Sequence, residues 1–337
     1  MRKRREGERT EMGIREKALE LLGTGKTVSG AELARELGVS RNAVWKVMNR
    51  LRESGYEISA VTNRGYRLVS APDLLSETEI RRWLTAKEIG RKLEIHNRLD
   101  STNNRAKTLA AAGAEHGLTV IADSQSGGRG RLGRSFFSPE HSGVYLTIIL
   151  RPDCSPARAA LLTSLAAAAT ARAVEAVADT EVKIKWVNDL YIGGKKICGI
   201  LSEAGIGMET GRVEYTVVGI GVNVNRMQFP PELKDIATSI CNETGTAPDR
   251  NRLIAEILNQ MDALYGELET GAFLEENRRR SNVIGQTVTV IAGGRQYPAR
   301  ALDIDDQGRL IIETAEGKSC LDYGEVSLKI TGKGAGR

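Results

Sequence analysis

Apolar positions in the first seventy residues recur at helical spacing in three successive segments. Residues 14–22 carry one apolar stripe, and Ser29 caps a second segment that Gly38 ends. Ser40 caps a third segment, whose apolar positions fall at i, i+3, i+4 and i+7: Val44, Val47, Met48 and Leu51. The spacing predicts a helix-turn-helix, and the alternation over residues 56–69 predicts a two-stranded wing after it.

The exposed side of this predicted domain has the chemistry of a nucleic-acid surface. Residues 1–70 contain 15 Lys and Arg against 9 Asp and Glu, whereas the remaining residues contain 33 against 34. The entire basic excess therefore lies in this segment, part of it in the run Arg2–Arg5, which would also suit a disordered tail. We expect DNA contacts from Ser29, Gly30, Ser40, Arg41, Asn42, Trp45, Lys46, Asn49, Arg64 and Arg67. The alternative is a three-helix scaffold for protein contacts.

Strands outnumber helices between the linker at residues 71–73 and residue 280. After a short helix from Ser76 to Leu84, with Glu79 as its capping-box partner, strands are expected at 93–99, 118–122, 144–150 and 213–225. A helix begins at Ser101 or Thr102, and a hairpin turns at Gly193–Gly194. The pattern predicts an α+β fold with a mixed or antiparallel central sheet and helices on one face.

The remaining residues alternate in short strands separated by glycine turns. From Val283 onward the sequence predicts a small β-barrel of the SH3-like kind. We therefore expect three domains: residues 1–70 for DNA binding, 71–280 for ligand binding and 281–337 for the barrel.

Composition indicates the cellular compartment and the kind of site that the chain can form. The four cysteines form no C-x-x-C pair and the three histidines lack ligand spacing, so we expect reduced thiols and no zinc site. No signal peptide is visible, and the alanine-rich stretch from Ala159 is interrupted by Arg172 and Glu175. It is expected to be a buried helix that Ser155 caps. These features favour a cytoplasmic protein without a membrane partner.

Residues 123–139 read DSQSGGRGRLGRSFFSP and predict a loop that wraps an anion. Glycines let a backbone approach a ligand closely, and the guanidinium groups of Arg129, Arg131 and Arg134 suit phosphate or carboxylate oxygens. The letters also fit the dinucleotide fingerprint G-x-G-x-x-G. That fingerprint must open a helix, whereas here a strand-like segment follows, so we favour the anion loop over a Rossmann turn or a solvated surface loop.

Four segments together resemble the successive motifs of bacterial biotin protein ligases: LDSTN at 99–103, GGRGRLGRSFFSP at 127–139, KWVNDLYIGGKKICGIL at 185–201 and GIGVNVN at 219–225. With the winged helix in front, the chain is similar to the bifunctional type that is also the biotin operon repressor. The resemblance covers nearly the whole chain. It implies a catalytic domain with the class II synthetase-like fold of biotin and lipoate ligases.

The resemblance also implies an activity. Such enzymes join biotin to ATP as biotinyl-5'-AMP, with Mg²⁺, and pass the biotinyl group to a lysine of the biotin carboxyl carrier protein of acetyl-CoA carboxylase. The implied further partners are operator DNA and a second copy of the chain, in a homodimer formed when the adenylate is bound.

Carried over by motif, residue roles fall into three overlapping sets. The resemblance implies that biotin is bordered by Ser101, Thr102, Asn103, Gln125, Gly128, Arg129, Gly130, Arg131, Lys196, Gly199, Gly219 and Gly221. It implies that ATP and the adenylate are held by Arg131, Arg134, Phe136, Lys185, Asn188, Asp189 and Asn223. It assigns catalysis to Arg129, Arg131, Lys196 and Asp189, with Asp189 also the metal ligand or the group that positions the incoming amine. Lys195 is expected to be a solvated turn residue.

Two positions depart from the family pattern, and three other functions stay open. Val187 replaces the proline of the KWPND motif, and Phe136 stands where many relatives carry tryptophan, which offers more area over an adenine. A lipoate ligase shares the fold and the adenylate chemistry. A transcription factor that only senses biotin, and a ligase that has lost repression, are the further alternatives.

Overall fold

The computed structural model describes residues 14, 17–23, 26–53, 56–61, 64–70, 73–207, 209–292, 295–322 and 327–330. The run Arg2–Arg5, most of the predicted linker and Asn63 of the wing turn lie outside these residues. The packing of the backbone divides the chain after Leu74 into two compact units. Each unit is described by itself.

The first unit has the predicted order of three helices and a hairpin. Its elements are α1 (17–22), α2 (Gly30–Leu37), α3 (Arg41–Glu53), β1 (Glu57–Val61) and β2 (Gly65–Ser70). Ser29 accepts the backbone N–H of Glu32 at 3.1 Å, and Gly38 ends α2 at φ +67°. Ser40 accepts the N–H of Ala43 at 3.2 Å. The predicted caps are therefore confirmed.

The second unit contains a larger and a smaller sheet. Its elements in chain order are α4 (Glu77–Trp83), β3 (Leu93–Leu99), α5 (Thr102–Ala111), β4 (Thr119–Gln125), β5 (Gly143–Leu150), α6 (Pro156–Ala160), α7 (Leu162–Val177), β6 (Lys183–Lys185), β7 (Asp189–Ile192), β8 (Lys195–Ile206), β9 (Val213–Asn223), α8 (Ile240–Thr244), α9 (Arg250–Tyr265), α10 (Leu274–Arg280), β10 (Thr287–Ala292), β11 (Arg295–Ile304), β12 (Leu310–Thr314), β13 (Gly317–Leu321) and β14 (Ser327–Ile330).

The central sheet is mixed, as predicted. Its strand order is β3-β4-β5-β9-β8-β7-β6; β3 and β4 are parallel and the other neighbours are antiparallel. Helices α7 and α9 pack on one face with Ile121, Ile148 and Val218. Helix α5 is an exception to the prediction of helices on one face, because it packs with Val120 and Val217. Successive residues of a strand point to opposite faces, so α5 covers the second face.

The alanine-rich segment forms the consecutive helices α6 and α7. Ser155 caps α6 through the N–H of Arg158 at 3.3 Å, and Pro156 opens the helix, both as predicted. The stretch Pro156–Val177 is long and apolar enough to cross a membrane, but 72% of its most apolar 18-residue window is buried within the protein. It serves as the core helix of the second unit.

The capping box expected at Ser76 and Glu79 is wrong. The side chain of Ser76 makes no capping hydrogen bond, and its backbone N–H donates instead to Asn251 at 2.9 Å. Glu79 pairs with Arg82 at 2.9 Å, one turn further along the helix. A side chain of α9 therefore accepts the backbone N–H at the start of α4, and the predicted capping box does not form.

The C-terminal strands form a five-stranded antiparallel sheet of order β13-β12-β11-β10-β14, and the predicted antiparallel strands are confirmed. Two hydrogen bonds to backbone carbonyls are among the contacts that tie it to the central fold. Trp186 donates its indole N–H to the carbonyl of Gly308 at 2.9 Å, and Arg278 donates to the carbonyl of Ile304 at 2.6 Å. The segment that joins β6 and β7 is thus attached to the small sheet.

Candidate functional site

The N-terminus of α5 lies in a network of hydroxyl and amide groups on the second face of the sheet. Ser101 caps the helix through the N–H of Asn104, so the cap is Ser101 and Thr102 is the first helical residue. The N–H of Thr102 donates to Gln125 Oε1 at 2.9 Å, and the Thr102 hydroxyl lies 3.1 Å from the same oxygen. The hydroxyl of Thr147 is 2.8 Å from that of Thr102. Three predicted biotin residues therefore lie together, and Thr147 joins them.

Asn103 fills the space above Gly219. Its Oδ1 lies 2.7 Å from the hydroxyl of Thr147, and its Nδ2 donates to Glu203 at 2.9 Å. A Cβ atom on Gly219 would lie only 2.0 Å from Asn103 Oδ1. Glu203 pairs in turn with Lys107 at 2.7 Å. An amide with buried partners therefore occupies the space over Gly219, and the contact of this glycine with a ligand stays a prediction.

The loop between β4 and β5 is folded by its own backbone. The N–H of Gly127 donates to the carbonyl of Asp100 at 2.8 Å, and that of Phe136 donates to the carbonyl of Gly128 at 2.9 Å. At its tip Arg131–Gly133 form a single 3₁₀ turn, with Leu132 at φ +56°. The G-x-G-x-x-G letters open no α-helix, so the loop is not a Rossmann turn.

The three arginines of this loop lie in different environments. Arg131 is half-buried and donates to Asn188 Oδ1 at 3.3 Å, and Asn188 is itself held by donation to the carbonyl of Ile200 at 2.9 Å. Arg129 and Arg134 are exposed. The pKa of Asp100 is lowered mainly by the Asn104 amide and also by the charge of Arg129. The loop therefore presents Arg129 beside the start of α5 and Arg131 beside the KWVND segment.

Phe136 lies on the glycines of the site floor. A Cβ atom on Gly221 would lie 2.6 Å from the ring of Phe136, and one on Gly199 would lie 3.2 Å from it. An aromatic ring therefore occupies the space over these two glycines, and their contact with a ligand stays a prediction. The ring meets Tyr145 edge-on, with centroids 6.3 Å apart.

Lys196 and Asp189 form an ion pair across β7 and β8. Lys196 Nζ lies 2.5 Å from Asp189 Oδ1, and both side chains are about three-quarters buried, with 26% and 21% exposed. Lys185 lies over the ring of Tyr191, 5.8 Å from its centroid. Lys195 points elsewhere and donates to the carbonyl of Lys234 at 3.4 Å. The expectation that Lys195 is a solvated turn residue is therefore wrong, because Lys195 is half-buried at the start of β8, although its side chain bonds a different group from that of Lys196. The peptide bond between Trp186 and Val187 is cis.

Asn223 is the last residue of β9 and is 4% exposed. Its Nδ2 donates to the carbonyl of Thr238 at 3.0 Å. Its Oδ1 is buried and has no hydrogen-bond partner among the described residues. A buried acceptor without a partner is costly, which makes this oxygen a natural place for a ligand N–H.

Sequence reasoning missed several residues that support the site: Lys107, Ser138, Thr147 and Glu203. Ser138 accepts Gln125 Nε2 at 3.0 Å and donates to the carbonyl of Phe136 at 3.0 Å. Thr147 interrupts an otherwise apolar strand, and that interruption was the available signal.

The predicted DNA surface is gathered on α3 and the wing. Arg41, Asn42 and Lys46 are exposed, and Trp45 is 54% exposed although it is a large aromatic side chain. Asn49 is half-buried and accepts a hydrogen bond from Arg52 at 3.0 Å, so it is less accessible than the others. On the wing, Arg64 and Arg67 are exposed. Ser40 is exposed and Ser29 and Gly30 are half-buried at the helix starts.

Three family descriptions match successive parts of the chain. They are an HTH domain at residues 14–67, the Biotin/lipoate A/B protein ligase family at 95–223 and the Biotin protein ligase C terminal domain at 283–329. The Bifunctional ligase/repressor BirA of Bacillus subtilis (strain 168) is 41% identical over 86% of this chain and 90% of its own length. The chain belongs to the biotin protein ligase family. The BirA protein of Escherichia coli (strain K12) is 30% identical over 93% of this chain and 96% of its own length.

Solved structures of this family share the fold. The biotin protein ligase from Aquifex aeolicus in complex with biotin and ATP superposes with a TM-score of 0.61 at 28% identity, covering 72% of this chain and 100% of that one. The match with the biotin/lipoate ligase family contains α5, the arginine loop, Lys196 and Asn223, so the site described above lies within the family's matched region.

Proposed function

We propose that the chain is a bifunctional biotin protein ligase and biotin-responsive repressor. In the first reaction, a carboxylate oxygen of biotin attacks the α-phosphate of ATP and pyrophosphate leaves. In the second, a lysine amine of a biotin carboxyl carrier protein attacks the acyl carbon and AMP leaves. The observation that carries the proposal is the convergence of Arg131, Asn188, Lys196 and Asp189 beside the Thr102–Gln125 network on one face of the sheet.

The arrangement suits adenylate chemistry because this reaction needs alignment and charge neutralisation, and no protein nucleophile. We assign the biotin head to Ser101, Thr102, Asn103 and Gln125. Arg129, Arg131 and Lys196 neutralise the carboxylate and the α-phosphate. We assign adenosine and the remaining phosphates to Arg134, Phe136, Lys185, Asn188 and Asn223. The Oδ1 of Asn223, an acceptor without a partner among the described residues, supports a contact with an adenosine N–H group.

Magnesium fits this site as a companion of the nucleotide. Mg²⁺ is usually held by one or two carboxylates together with substrate phosphates. Asp189 offers a carboxylate beside Asn188, and no group of three acidic, histidine or cysteine side chains gathers among the described residues. A bound Mg²⁺ would neutralise phosphate charge, with Asp189 as its protein ligand.

The ligase assignment is tested by biotin-dependent exchange of labelled pyrophosphate into ATP. Lys196→Gln should lower the exchange rate by about 100-fold, since removal of one charged donor from a preorganised site costs that order of magnitude. Lys195→Gln is the matched control, because the neighbouring lysine bonds outside the site, and it should keep the wild-type rate. Exchange that depends on lipoate instead of biotin would identify a lipoate ligase.

The first unit supports the repressor half of the proposal. We infer that Arg41, Asn42, Trp45 and Lys46 of α3 enter the major groove of operator DNA while Arg64 and Arg67 contact phosphates. A homodimer of the adenylate-bound form would match a two-fold symmetric operator. Gel shifts with promoter DNA, with and without biotin and ATP, test this; retained catalysis without any shift would leave a ligase that has lost repression.

The domain boundaries and the location remain predictions. We propose functional parts at residues 1–70, 71–280 and 281–337, supported by the matches to three family descriptions. The cytoplasmic location is supported by the burial of the apolar helix Pro156–Val177 and by four free cysteines.

A further inference from the structure

A buried ion pair lies behind the arginine loop and has no part in the chemistry described so far. Arg250, the first residue of α9, is fully buried. Its Nη1 donates to Asp123 Oδ1 at 2.7 Å and to the carbonyl of Gly143 at 2.9 Å. Asp123 lies on β4 two residues before Gln125, and Gly143 begins β5. The guanidinium of Arg250 thus links β4, after which the arginine loop begins, to β5, before which the loop ends.

His141 completes this cluster from the loop side. Its backbone N–H donates to both oxygens of Asp123, at 3.3 and 3.2 Å, and its Nδ1 lies 3.0 Å from Asp123 Oδ2. His141 has φ +56°, a conformation that L side chains rarely adopt. Its carbonyl accepts Asn225 Nδ2 at 2.6 Å. Contacts on both sides of the residue therefore hold it in an unfavourable backbone region.

The segment fixed in this way is continuous with the site. Tyr145 donates to the carbonyl of Pro139 at 3.2 Å, and the carbonyl of Ser142 accepts the backbone N–H groups of Val224 and Asn225 at 3.0 and 2.9 Å. Residues 139–143 are therefore held by hydrogen bonds along their whole length. Immediately before them, Ser138 binds Gln125 through both its carbonyl, at 3.1 Å, and its hydroxyl. The ring of Phe136 lies on Gly221. Asp123 and residues 136–143 thus form the stem from which the arginine loop extends.

Stability alone is a weak reason for a buried ion pair, because packed apolar residues of the same volume are often as stable or more so. We propose that Arg250, Asp123 and His141 are positioning residues for the adenylate reaction, which set the stem of the loop so that Arg129 and Arg131 can close over the bound intermediate. The inference rests on the proposed ligase function and assigns a role to groups to which that function gives none.

The test uses the full chain and measures the release rate of preformed biotinyl-adenylate alongside the melting temperature. His141→Gly removes the whole side chain, including the imidazole, and glycine adopts φ +56° without strain. Asp123→Asn removes the negative charge that pairs with the buried guanidinium of Arg250. Asp262→Asn is the matched control: it changes a half-buried aspartate of the same helix α9, whose oxygens accept the N–H groups of Lys87, Glu88 and Ile89, far along the helix from the loop.

We expect His141→Gly to speed release of the adenylate by about ten-fold, the effect of losing one hydrogen bond to a carboxylate. Asp123→Asn, where it folds, should speed release further. Asp262→Asn should lower the melting temperature and leave release at the wild-type rate. The proposal is overturned if His141→Gly and the control leave release equally unchanged. Absence of any adenylate from the wild-type chain would instead refute the ligase function, so the two failures are distinguishable.

Discussion

Gly219→Ala tests whether the site floor depends on the contact between a glycine and an amide. The added Cβ would lie 2.0 Å from Asn103 Oδ1 and 2.8 Å from Asn103 Cγ. Ordinary contacts begin near 3.4 Å, so the amide must retreat by more than 1 Å. It cannot do so without leaving Thr147 and Glu203, which bind it at 2.7 and 2.9 Å.

The expected cost follows from those two hydrogen bonds. A neutral hydrogen bond contributes about 1 kcal/mol and one to a charged group about 1.5–3 kcal/mol, so the free energy of unfolding should fall by about 3 kcal/mol. Because Asn103 is next to Thr102 in the network that we assign to the biotin head, the biotin affinity should fall as well, by about 100-fold if a similar free energy is lost from binding.

A double-mutant cycle separates this clash from any general effect of a new methyl group. Urea unfolding and calorimetric titration with biotin are measured for Gly219→Ala, for Asn103→Ala and for the double variant. In the double variant the Cβ atom meets no amide, so the second change should cost little. Gly266→Ala is the control, since a Cβ there meets nothing within 4 Å and its φ is −63°. Equal costs of Gly219→Ala with and without Asn103 would refute the reasoning.

Three further predictions concern the loop and the ion pairs. Residues 126–135 should resist proteolysis only when biotin and ATP are both present, and equal cleavage rates would contradict closure of the loop. Arg131→Gly should speed release of the adenylate more than it lowers the melting temperature; unchanged release would remove Arg131 from the site. Burial opposes ionisation of Glu276, but Arg172 and Arg280 hold its pKa below the ordinary 4.5. Its stabilising contribution is therefore complete above pH 4.5 and lost as the pH falls through the lowered pKa, and Glu276→Gln should flatten that loss in urea unfolding measured against pH.

Local signals predicted the first unit well. Ser29, Ser40 and Gly38 act within three or four residues of their own positions, and such caps need no knowledge of the rest of the chain. The capping box at Ser76 failed for the opposite reason. Its partner is Asn251, 175 residues away in the sequence, and no local pattern indicates that contact.

The candidate site was predicted in its membership and less well in its arrangement. Motif resemblance named Thr102, Gln125, Arg131, Asn188 and Lys196, and the structure pairs Thr102 with Gln125, Arg131 with Asn188 and Lys196 with Asp189, while their roles stay predictions. It did not predict which protein groups occupy the space that the glycines leave. That space is decided by packing between distant segments, and a glycine in a sequence indicates room without indicating its occupant.

Strand β9 shows how one short motif can serve both the core and the site. Successive side chains of a strand point to opposite faces. Val218 and Val222 are therefore buried in the core beneath α7 and α9, whereas Gly219, Gly221 and Asn223 point to the face that carries Asn103 and Phe136. Larger residues at the valines would disturb packing alone, and larger residues at the glycines would displace the groups that shape the ligand site. The alternation of apolar and small residues over residues 218–223 thus reflects core packing on one face of the strand and close contacts with Asn103 and Phe136 on the other.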